Sequence, residues 1–207
     1  MRKAVIILLA ILVIASAATG CASPGKIVTG SKDPTRFKEE YEALNSELNE
    51  DGTNKHSLIS IDKKNNIVYL TYDELMDFLG SKSGLLYFGR PGCPWCRSLV
   101  PHMLQYANED NVYIYYYDIE NDRAENNDNY KSILAILGNY LPTDTVTQDE
   151  DDPDFDPGLK RVVLPQLFFI KDGKVKDEWY LYQHELLKNN ETDKVKQSLR
   201  DKYALVT

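Results

Sequence analysis

Residues 84–104, GLLYFGRPGCPWCRSLVPHML, contain the pattern that decides the fold of this chain. Within it, Leu85 to Phe88 is an apolar run with the length of a buried strand. The next four residues, GRPG at 89–92, predict a turn. After CPWC at 93–96, apolar side chains recur at helical spacing, at Leu99, Met103 and Tyr106. The stretch therefore predicts a strand, a turn and a helix, with two cysteines at the start of the helix.

The two cysteines stand where a helix start changes the chemistry of a thiol. Unpaired backbone N–H groups and the positive end of the helix dipole lower the pKa of a thiol there, and the thiolate is the nucleophile. We predict that Cys93 is exposed at the turn and attacks a substrate disulfide. Cys96, one helical turn further and more shielded, is predicted to resolve the mixed disulfide. Pro94 fits the first helical turn, and we expect Arg97 to add positive charge beside the pair.

A zinc site and an inert structural disulfide are the alternatives for the same pair. A structural zinc site usually needs a second pair of cysteines or histidines. After Cys96 the chain has no further cysteine, and only His102 and His184 as imidazoles. We interpret both histidines as non-catalytic, and we predict no metal and no cofactor. A CxxC pair between a strand and a helix favours redox chemistry.

The segment resembles the active site of the thioredoxin superfamily. Pro101 lies where thioredoxins carry a helix-kinking proline, and Pro165, in VVLPQLFFIKDGKV, lies where the family has its cis-proline. More closely, YFGRPGCPWCRSLVP is similar to the thioredoxin-like bacteriocin transport accessory proteins of Gram-positive bacteria. The resemblance covers residues 56–203. It departs from the family at Tyr87, since thioredoxins have a buried aspartate six residues before the first cysteine.

The resemblance implies a thiol–disulfide oxidoreductase with a redox-active disulfide between Cys93 and Cys96. It also implies a cis bond before Pro165, and a groove at Leu164 and Pro165 that receives an extended substrate. Trp95 would present an apolar rim to that groove. The implied partners are protein thiols or disulfides. The alternative is a non-enzymatic accessory or binding protein for an export system, while a purely structural module is disfavoured because both cysteines are intact.

The first 21 residues predict export and lipidation. Residues 1–20, MRKAVIILLAILVIASAATG, have a positive end, an apolar run and small residues, which is typical of a secretory signal peptide. The sequence ATGC at 18–21 resembles a bacterial lipobox, in which the cysteine becomes the lipidated N-terminus. We therefore expect a lipid anchor on Cys21 that holds the chain at the extracytoplasmic face of a bacterial membrane. An uncleaved membrane anchor and a free or disulfide-bonded Cys21 are the alternatives.

The composition and the net charge limit which classes of molecule this protein can be expected to bind. The chain has 207 residues and a formal net charge of −8. Without Arg2 and Lys3 of the leader the charge becomes −10, because 24 minus 2 basic residues then face 32 acidic ones. Such a surface disfavours nucleic acid as a partner. The predicted organisation is a tether at 21–33, and then a thioredoxin-like domain at 34–207 that begins with a helical extension.

The remaining elements follow from hydrophobic periodicity and alternation. Helices are expected at 34–49, at 71–80, from 128 onward and at 184–203. Strands are expected at 59–70, as a hairpin or two short strands, and at 111–119, 167–170 and 175–181. Together these elements predict an α/β fold, in which a central mixed sheet has helices on both faces and an extra helix at its N-terminus.

An acidic insertion interrupts the predicted domain at 142–160, PTDTVTQDEDDPDFDPGLK. Its prolines and charges predict no regular element. The spacing of Asp152, Asp154 and Asp156 is similar to that in a calcium loop, but Val163 stands where the bidentate glutamate is needed. We therefore predict a solvated insertion. Its length and position near the active site would suit a lid or a partner surface, and the sequence does not indicate its role.

Overall fold

The computed structural model of the chain describes residues 27–143, 156–179 and 191–207. Several predictions concern residues outside these ranges, namely those for the signal peptide 1–20, Cys21, Asp152, Asp154, His184 and the first part of the last helix. Within the described ranges, no helix has both the length and the apolar composition needed to cross a bilayer.

Six strands form one mixed sheet in the order β1-β2-β4-β3-β5-β6. They are β1 (Ser31–Lys32), β2 (Ile67–Tyr69), β3 (Gly84–Phe88), β4 (Ile114–Tyr117), β5 (Gln166–Lys171) and β6 (Lys174–Trp179). The strands β2, β4 and β3 run parallel to one another, while β1, β5 and β6 pair antiparallel with their neighbours. All five residues of β3 are buried, which explains why its sequence is continuously apolar.

Six helices are described, and the sequence fixes the start of several of them. They are α1 (Pro34–Ala43), α2 (Tyr72–Ser81), α3 (Pro94–Glu109), α4 (Glu120–Glu125), α5 (Asp128–Leu137) and α6 (Thr192–Tyr203). Asp33 and Asn127 cap α1 and α5 through their side chains. Thr71 and Glu74 form a complete capping box at α2. Short 3₁₀ turns follow α1 and α5.

The helices cover both faces of the sheet. Phe37 of α1 packs on Tyr116 of β4, with ring centroids 5.2 Å apart. Phe78 of α2 packs on the neighbouring Tyr115, at 4.6 Å. Successive side chains of a strand point to opposite faces, so α1 and α2 lie on opposite sides. The predicted α/β fold class, a central mixed sheet with helices on both faces and an extra N-terminal helix, is confirmed.

The C-terminal part of α3, the helix that begins after Cys93, packs against α6. Tyr106 and Tyr203 make an edge-to-face ring contact at 6.5 Å. At the end of α3, Glu109 accepts from Lys196 at 3.0 Å, and Arg200 binds Asp110 at 2.7 Å. These ion pairs are partly exposed, so we assign the greater part of the stabilisation to the apolar contacts.

The predicted pairing of residues 59–70 is wrong, because only Ile67–Tyr69 forms a strand. Ile59 and Ile61 are buried, as their alternation indicated. Their N–H groups, however, bond to the side chains of Asn45 (3.0 Å) and Glu42 (2.7 Å). The side chains of the N-terminal extension, by which we mean residues 34–58, therefore take the place of a partner strand.

Two boundaries in the N-terminal region also differ from the prediction. The helix α1 ends at Ala43 rather than at 49, and a 3₁₀ turn follows it. The segment predicted as a tether at 21–33 contains β1, which pairs with β2. In addition, the N–H of Val28 donates to the hydroxyl of Tyr115 at 3.1 Å. The end of the predicted tether is thus part of the sheet.

The two ends of the acidic insertion lie side by side. Thr143 and Lys160 form an isolated antiparallel bridge, and the N–H of Arg161 donates to the carbonyl of Pro142 at 3.1 Å. Because its ends meet, the insertion leaves and rejoins the domain at one place. The second end leads through Val162 directly to Leu164 and Pro165.

Candidate active site

The cysteine pair lies at the junction of β3 and α3. Cys93 is the N-cap residue of α3, and Pro94 occupies the first helical position. The sulfur of Cys93 accepts a hydrogen bond from the N–H of Cys96 at 3.3 Å. Both residues are free thiols in this structure. The predicted placement of both cysteines at a helix start is thus confirmed.

Cys93 is buried, whereas the sequence predicted that it would be exposed. Only 6% of its surface is accessible, because the chain before β5 covers it. Its sulfur contacts the carbonyl oxygen of Leu164 at 3.6 Å. The bond between Leu164 and Pro165 is cis, as the resemblance implied. The structure therefore brings the carbonyl of Leu164, the residue before Pro165, to Cys93. Trp95, two residues after Cys93 in the chain, is half-buried.

The surroundings of Cys93 favour its thiolate. A hydrogen bond from the thiol of Cys96 contributes most to lowering the pKa of Cys93, to about 7. The backbone N–H groups of Cys96 and Trp95 and the charge of Arg90 act in the same direction, whereas burial opposes them. Near neutral pH, a substantial fraction of Cys93 is therefore ionised.

The surroundings of Cys96 favour its protonated thiol. Cys96 has no accessible surface, and burial raises its pKa well above the ordinary value. The hydrogen bond to Cys93 and the charge of that neighbour raise it further. Cys93 is therefore the more acidic of the two thiols, as the sequence predicted.

Arg97 does not supply positive charge to the pair, which corrects the sequence prediction. Its side chain turns away from the thiols and is only 2% exposed. The nearby charge comes from Arg90 in the turn, which also pairs with Glu120 at 3.1 Å. The sequence offered one signal for Arg90, namely its position between the buried strand and the first cysteine.

Arg97 connects α3 to the N-terminal extension instead. Its guanidinium donates four hydrogen bonds, to the carbonyls of Ser57 (2.7 Å), Tyr41 (2.7 Å) and Pro91 (3.2 Å) and to the side chain of Asn45 (2.6 Å). The desolvation of this buried cation is offset by bonds to oxygen atoms, which suit the forked donor geometry of arginine.

The loop after α1 reaches the turn in front of Cys93. A Cβ atom on Gly92 would lie 3.9 Å from both His56 and Leu44. His56 in turn contacts Glu47 at 3.3 Å. The N-terminal extension thus borders the active site, a relation that the sequence pattern did not reveal because these residues are distant along the chain.

The described residues contain no group of three or more His, Cys, Asp or Glu side chains placed to hold a metal ion.

His102, near the middle of α3, is 9% exposed, and burial lowers its pKa. Tyr87, at the position where thioredoxins have an aspartate, is fully buried and bonds to Tyr41.

Comparison with known proteins yields structural neighbours alone. No protein-family model matches the sequence, and no curated protein matches it. Two crystal structures from Arabidopsis thaliana, both in the oxidized state, are similar to the chain. Thioredoxin O2 is 21% identical, with 61% of this chain and 91% of that chain covered and a TM-score of 0.37. Thioredoxin O1 is 20% identical, with 60% and 94% covered and a TM-score of 0.37.

We predict that Arg97→Lys destabilises the protein. A lysine ammonium cannot reach four separate oxygen atoms, so buried acceptors lose their partners and the free energy of unfolding falls by about 2 kcal/mol. Urea denaturation followed by circular dichroism measures the change. Arg90→Lys is the control, because the half-exposed ion pair that it alters contributes less than about 1 kcal/mol. Equal stability of Arg97→Lys and the wild type would contradict the assigned role.

We predict that Arg90→Gln raises the pKa of Cys93. In the wild type, alkylation of Cys93 by iodoacetamide should accelerate as the pH rises through about 7, where the thiolate forms. Without the Arg90 charge the midpoint should move upward by about 0.5. Arg123→Gln removes the other partner of Glu120 and should leave the midpoint near that of the wild type. A midpoint that is unchanged in Arg90→Gln would refute the electrostatic role of Arg90.

Proposed function

We propose that this chain is a thiol–disulfide oxidoreductase whose redox pair is Cys93 and Cys96. The difference between the two thiols supports this assignment most directly. The hydrogen bonds at the helix start lower the pKa of Cys93 to about 7, whereas burial keeps Cys96 protonated. At neutral pH a substantial fraction of the reduced pair therefore holds one thiolate and one thiol, as dithiol exchange requires.

The reaction proceeds through a mixed disulfide. The Cys93 thiolate attacks one sulfur of a substrate disulfide, that bond breaks, and the electron pair leaves on the second substrate sulfur. Cys96 then attacks the sulfur of Cys93, which releases the first substrate sulfur. The substrate gains two electrons and two protons, and Cys93 and Cys96 become a disulfide. With an oxidised pair and a reduced substrate, the same steps run in reverse.

The burial of Cys93 restricts which substrates can react. A disulfide must enter the space beside Leu164 and Pro165, because the carbonyl of Leu164 lies 3.6 Å from the attacking sulfur. An extended segment meets this requirement better than a folded surface. The substrate class that we propose is therefore a protein thiol or disulfide in an unfolded or flexible segment, with Trp95 along the rim.

The second candidate function is that of an accessory or binding protein for an export system, in which turnover is secondary. The observation that favours it is an apolar surface on the N-terminal extension. Leu48 is 57% exposed and Leu58 is 66% exposed, on the segment that borders the active-site turn. Exposed leucines of this kind suit contact with a partner protein. The similarity of residues 87–101 to bacteriocin transport accessory proteins supports the same interpretation.

We propose further that a lipid on Cys21 holds the domain at the extracytoplasmic face of a bacterial membrane. The sequence ATGC after an apolar run supports this location. The sheet begins soon afterwards, since Val28 already bonds to Tyr115. The seven residue-to-residue steps from Cys21 to Val28 span at most about 25 Å, so the domain would work close to the bilayer.

We predict that Cys96→Ser traps substrates and Cys93→Ser does not. Without Cys96 the reaction stops at the mixed disulfide, whereas without Cys93 no bond forms. Non-reducing electrophoresis of tagged variants should show adducts of Cys96→Ser that dithiothreitol releases. The wild type should also catalyse the reduction of insulin disulfides by dithiothreitol.

The same experiment separates the two candidate functions. Trapping by Cys93→Ser to the same extent as by Cys96→Ser would show that the roles are assigned wrongly. If neither variant traps a protein and the wild type leaves insulin unreduced, the oxidoreductase proposal fails. An export phenotype that survives in a folded Cys93→Ser variant would then support the accessory function.

We predict that Cys21 carries the lipid. A fatty-acid analogue added to producing cells should label the wild type and not Cys21→Ala, and the variant should leave the membrane fraction. Cys93→Ala serves as the control, because it removes a different cysteine and should retain the label. Equal labelling of the wild type and Cys21→Ala would refute lipidation at this residue.

A further inference from the structure

A cavity of about 450 Å³ lies between α4, α5 and the chain segment at 159–161. This volume is within the range of ligand-binding clefts, roughly 300–1,000 Å³. Three of the side chains that line it are cations and one is a carboxylate, namely Arg123, Lys160, Arg161 and Glu120. The lining therefore carries a net charge of +2, in a chain whose formal net charge is −8.

The wall of this cavity continues into the chain that covers Cys93. The side chain of Arg123 donates to the carbonyl of Val162 at 3.1 Å, and the N–H of Val162 donates to the hydroxyl of Tyr130 at 3.2 Å. Side chains of α4 and α5 thus hold the backbone of Val162 from both sides. Two residues later, the carbonyl of Leu164 lies 3.6 Å from the sulfur of Cys93. One continuous segment therefore borders both the cavity and the nucleophile.

A second connection runs through the turn before Cys93. Glu120, which lines the cavity, pairs with Arg90 at 3.1 Å, and the carbonyl of Arg90 accepts from the N–H of Cys93 at 3.3 Å. The Nε atom of Arg90 is buried, and among the described residues it has no hydrogen-bond partner. An unpaired buried donor costs free energy, which an acceptor on a bound substrate would recover.

The charge of Lys160 is the least compensated by the described part of the chain. Lys160 is half-buried, and its ammonium donates to the neutral hydroxyl of Thr143 at 3.3 Å. No carboxylate of the described residues pairs with it, and Glu120 is already shared by Arg90 and Arg123. Asp122, on the same helix as Glu120, does not line the cavity and accepts from two asparagine side chains instead.

These charges indicate the chemistry of the occupant. Because the chain as a whole is negative, most of its surface repels an acidic segment, whereas a local group of cations attracts one. Complementary charge of this kind sets the specificity and the rate of association more than it sets the affinity. An acidic occupant is thus favoured at this cavity over a neutral or basic one.

We propose that this cavity is a substrate subsite, in which Lys160 binds a carboxylate of the segment that carries the substrate disulfide. The subsite rests on the proposed function and narrows its substrate class to acidic segments. The four residue-to-residue steps from Lys160 to Leu164 span at most about 14 Å. A carboxylate within about four residues of the substrate cysteine can therefore reach Lys160 while that cysteine reacts with Cys93. Lys160 thus selects the substrate and takes no part in the exchange itself.

The test uses two peptides whose single cysteine is disulfide-linked to thionitrobenzoate, a coloured leaving group. One peptide carries glutamates within about four residues of the cysteine, and the other carries glutamines there. Attack of the Cys93 thiolate on the peptide sulfur releases the colour. Each rate is divided by the rate of the same peptide with dithiothreitol, which corrects for intrinsic reactivity. We expect the reduced wild type to prefer the glutamate peptide about fivefold, and less at high salt.

Variants of Lys160 should remove this preference. We expect Lys160→Glu to lower the ratio of the two rates to about 1, and Lys160→Gln to lower it to about twofold. The milder variant keeps the test available if the charge reversal disturbs the fold. Lys131→Glu is the matched control, because it makes the same change of charge on α5, outside the cavity, at a residue that pairs with Asp128. It should retain the preference of the wild type.

A second measurement does not depend on redox activity. The Cys93→Ser variant cannot attack a disulfide, so it binds fluorescein-labelled peptides, with serine in place of cysteine, without reacting. Fluorescence anisotropy should show that it binds the glutamate peptide about fivefold more tightly than the glutamine peptide. Adding Lys160→Gln to this variant should reduce the difference to about twofold.

The outcomes separate the subsite from the proposed function. If the wild type releases no colour from either peptide, the oxidoreductase proposal fails, and tighter binding of the glutamate peptide by Cys93→Ser would still support the subsite. Equal rates for the two peptides in the wild type would refute the subsite alone. A loss of rate in Lys160→Glu that is the same for both peptides would also overturn it, because a disturbed wall would then explain the effect. An equal loss of preference in Lys131→Glu would do so as well, since net charge would suffice.

Discussion

The hydrogen bond from the N–H of Cys96 to the sulfur of Cys93 is the interaction on which the site depends. It is available because the first N–H groups of a helix have no partner within the helix. The start of α3 is in turn fixed by β3, which is buried along its whole length and ends at Phe88, in register with Tyr117 and Gln166. The burial of β3 thereby determines the position at which the sulfur of Cys93 meets the free N–H groups at the start of α3.

The N-terminal extension belongs to the same unit as the site. Arg97 is buried, it pairs with no carboxylate among the described residues, and its bonds go to three carbonyls and the side chain of Asn45. Asn45 also exchanges two hydrogen bonds with the backbone of Ile59. One asparagine side chain thus connects Arg97 of α3 to the segment that carries the buried Ile59. Since Arg97 follows Cys96 directly, any loosening of the extension acts on the helix turn that carries Cys96. The stability of the extension and the geometry of the thiols are therefore coupled.

The parts of the fold that are local in sequence could be predicted, and the parts that depend on distant contacts could not. Three local patterns predicted their elements correctly: the continuous apolar run of β3, the capping box at Thr71 and the proline after Cys93. Each depends only on residues that are close together in the sequence. The alternation at Ile59 and Ile61 correctly indicated burial, but not that side chains of the extension would bind their backbone. Likewise, Arg97 is next to Cys96 in the sequence, but the direction in which its side chain points could not be predicted from that position. The cover that buries Cys93 comes from Leu164, 71 positions away.

The neutral interior beside the pair has a consequence for the more acidic thiol. A buried carboxylate at position 87 would place a negative charge near both sulfurs and would raise the pKa of each. The phenols of Tyr41 and Tyr87 remain uncharged, because burial raises the pKa of both well above the ordinary value. Cys93 can therefore ionise near neutral pH on the strength of backbone N–H groups, the Cys96 thiol and Arg90 alone. The charge of Arg90 thus lies at the turn, and the phenols of Tyr41 and Tyr87 stay neutral, so that Cys93 can ionise while the buried Cys96 retains its proton.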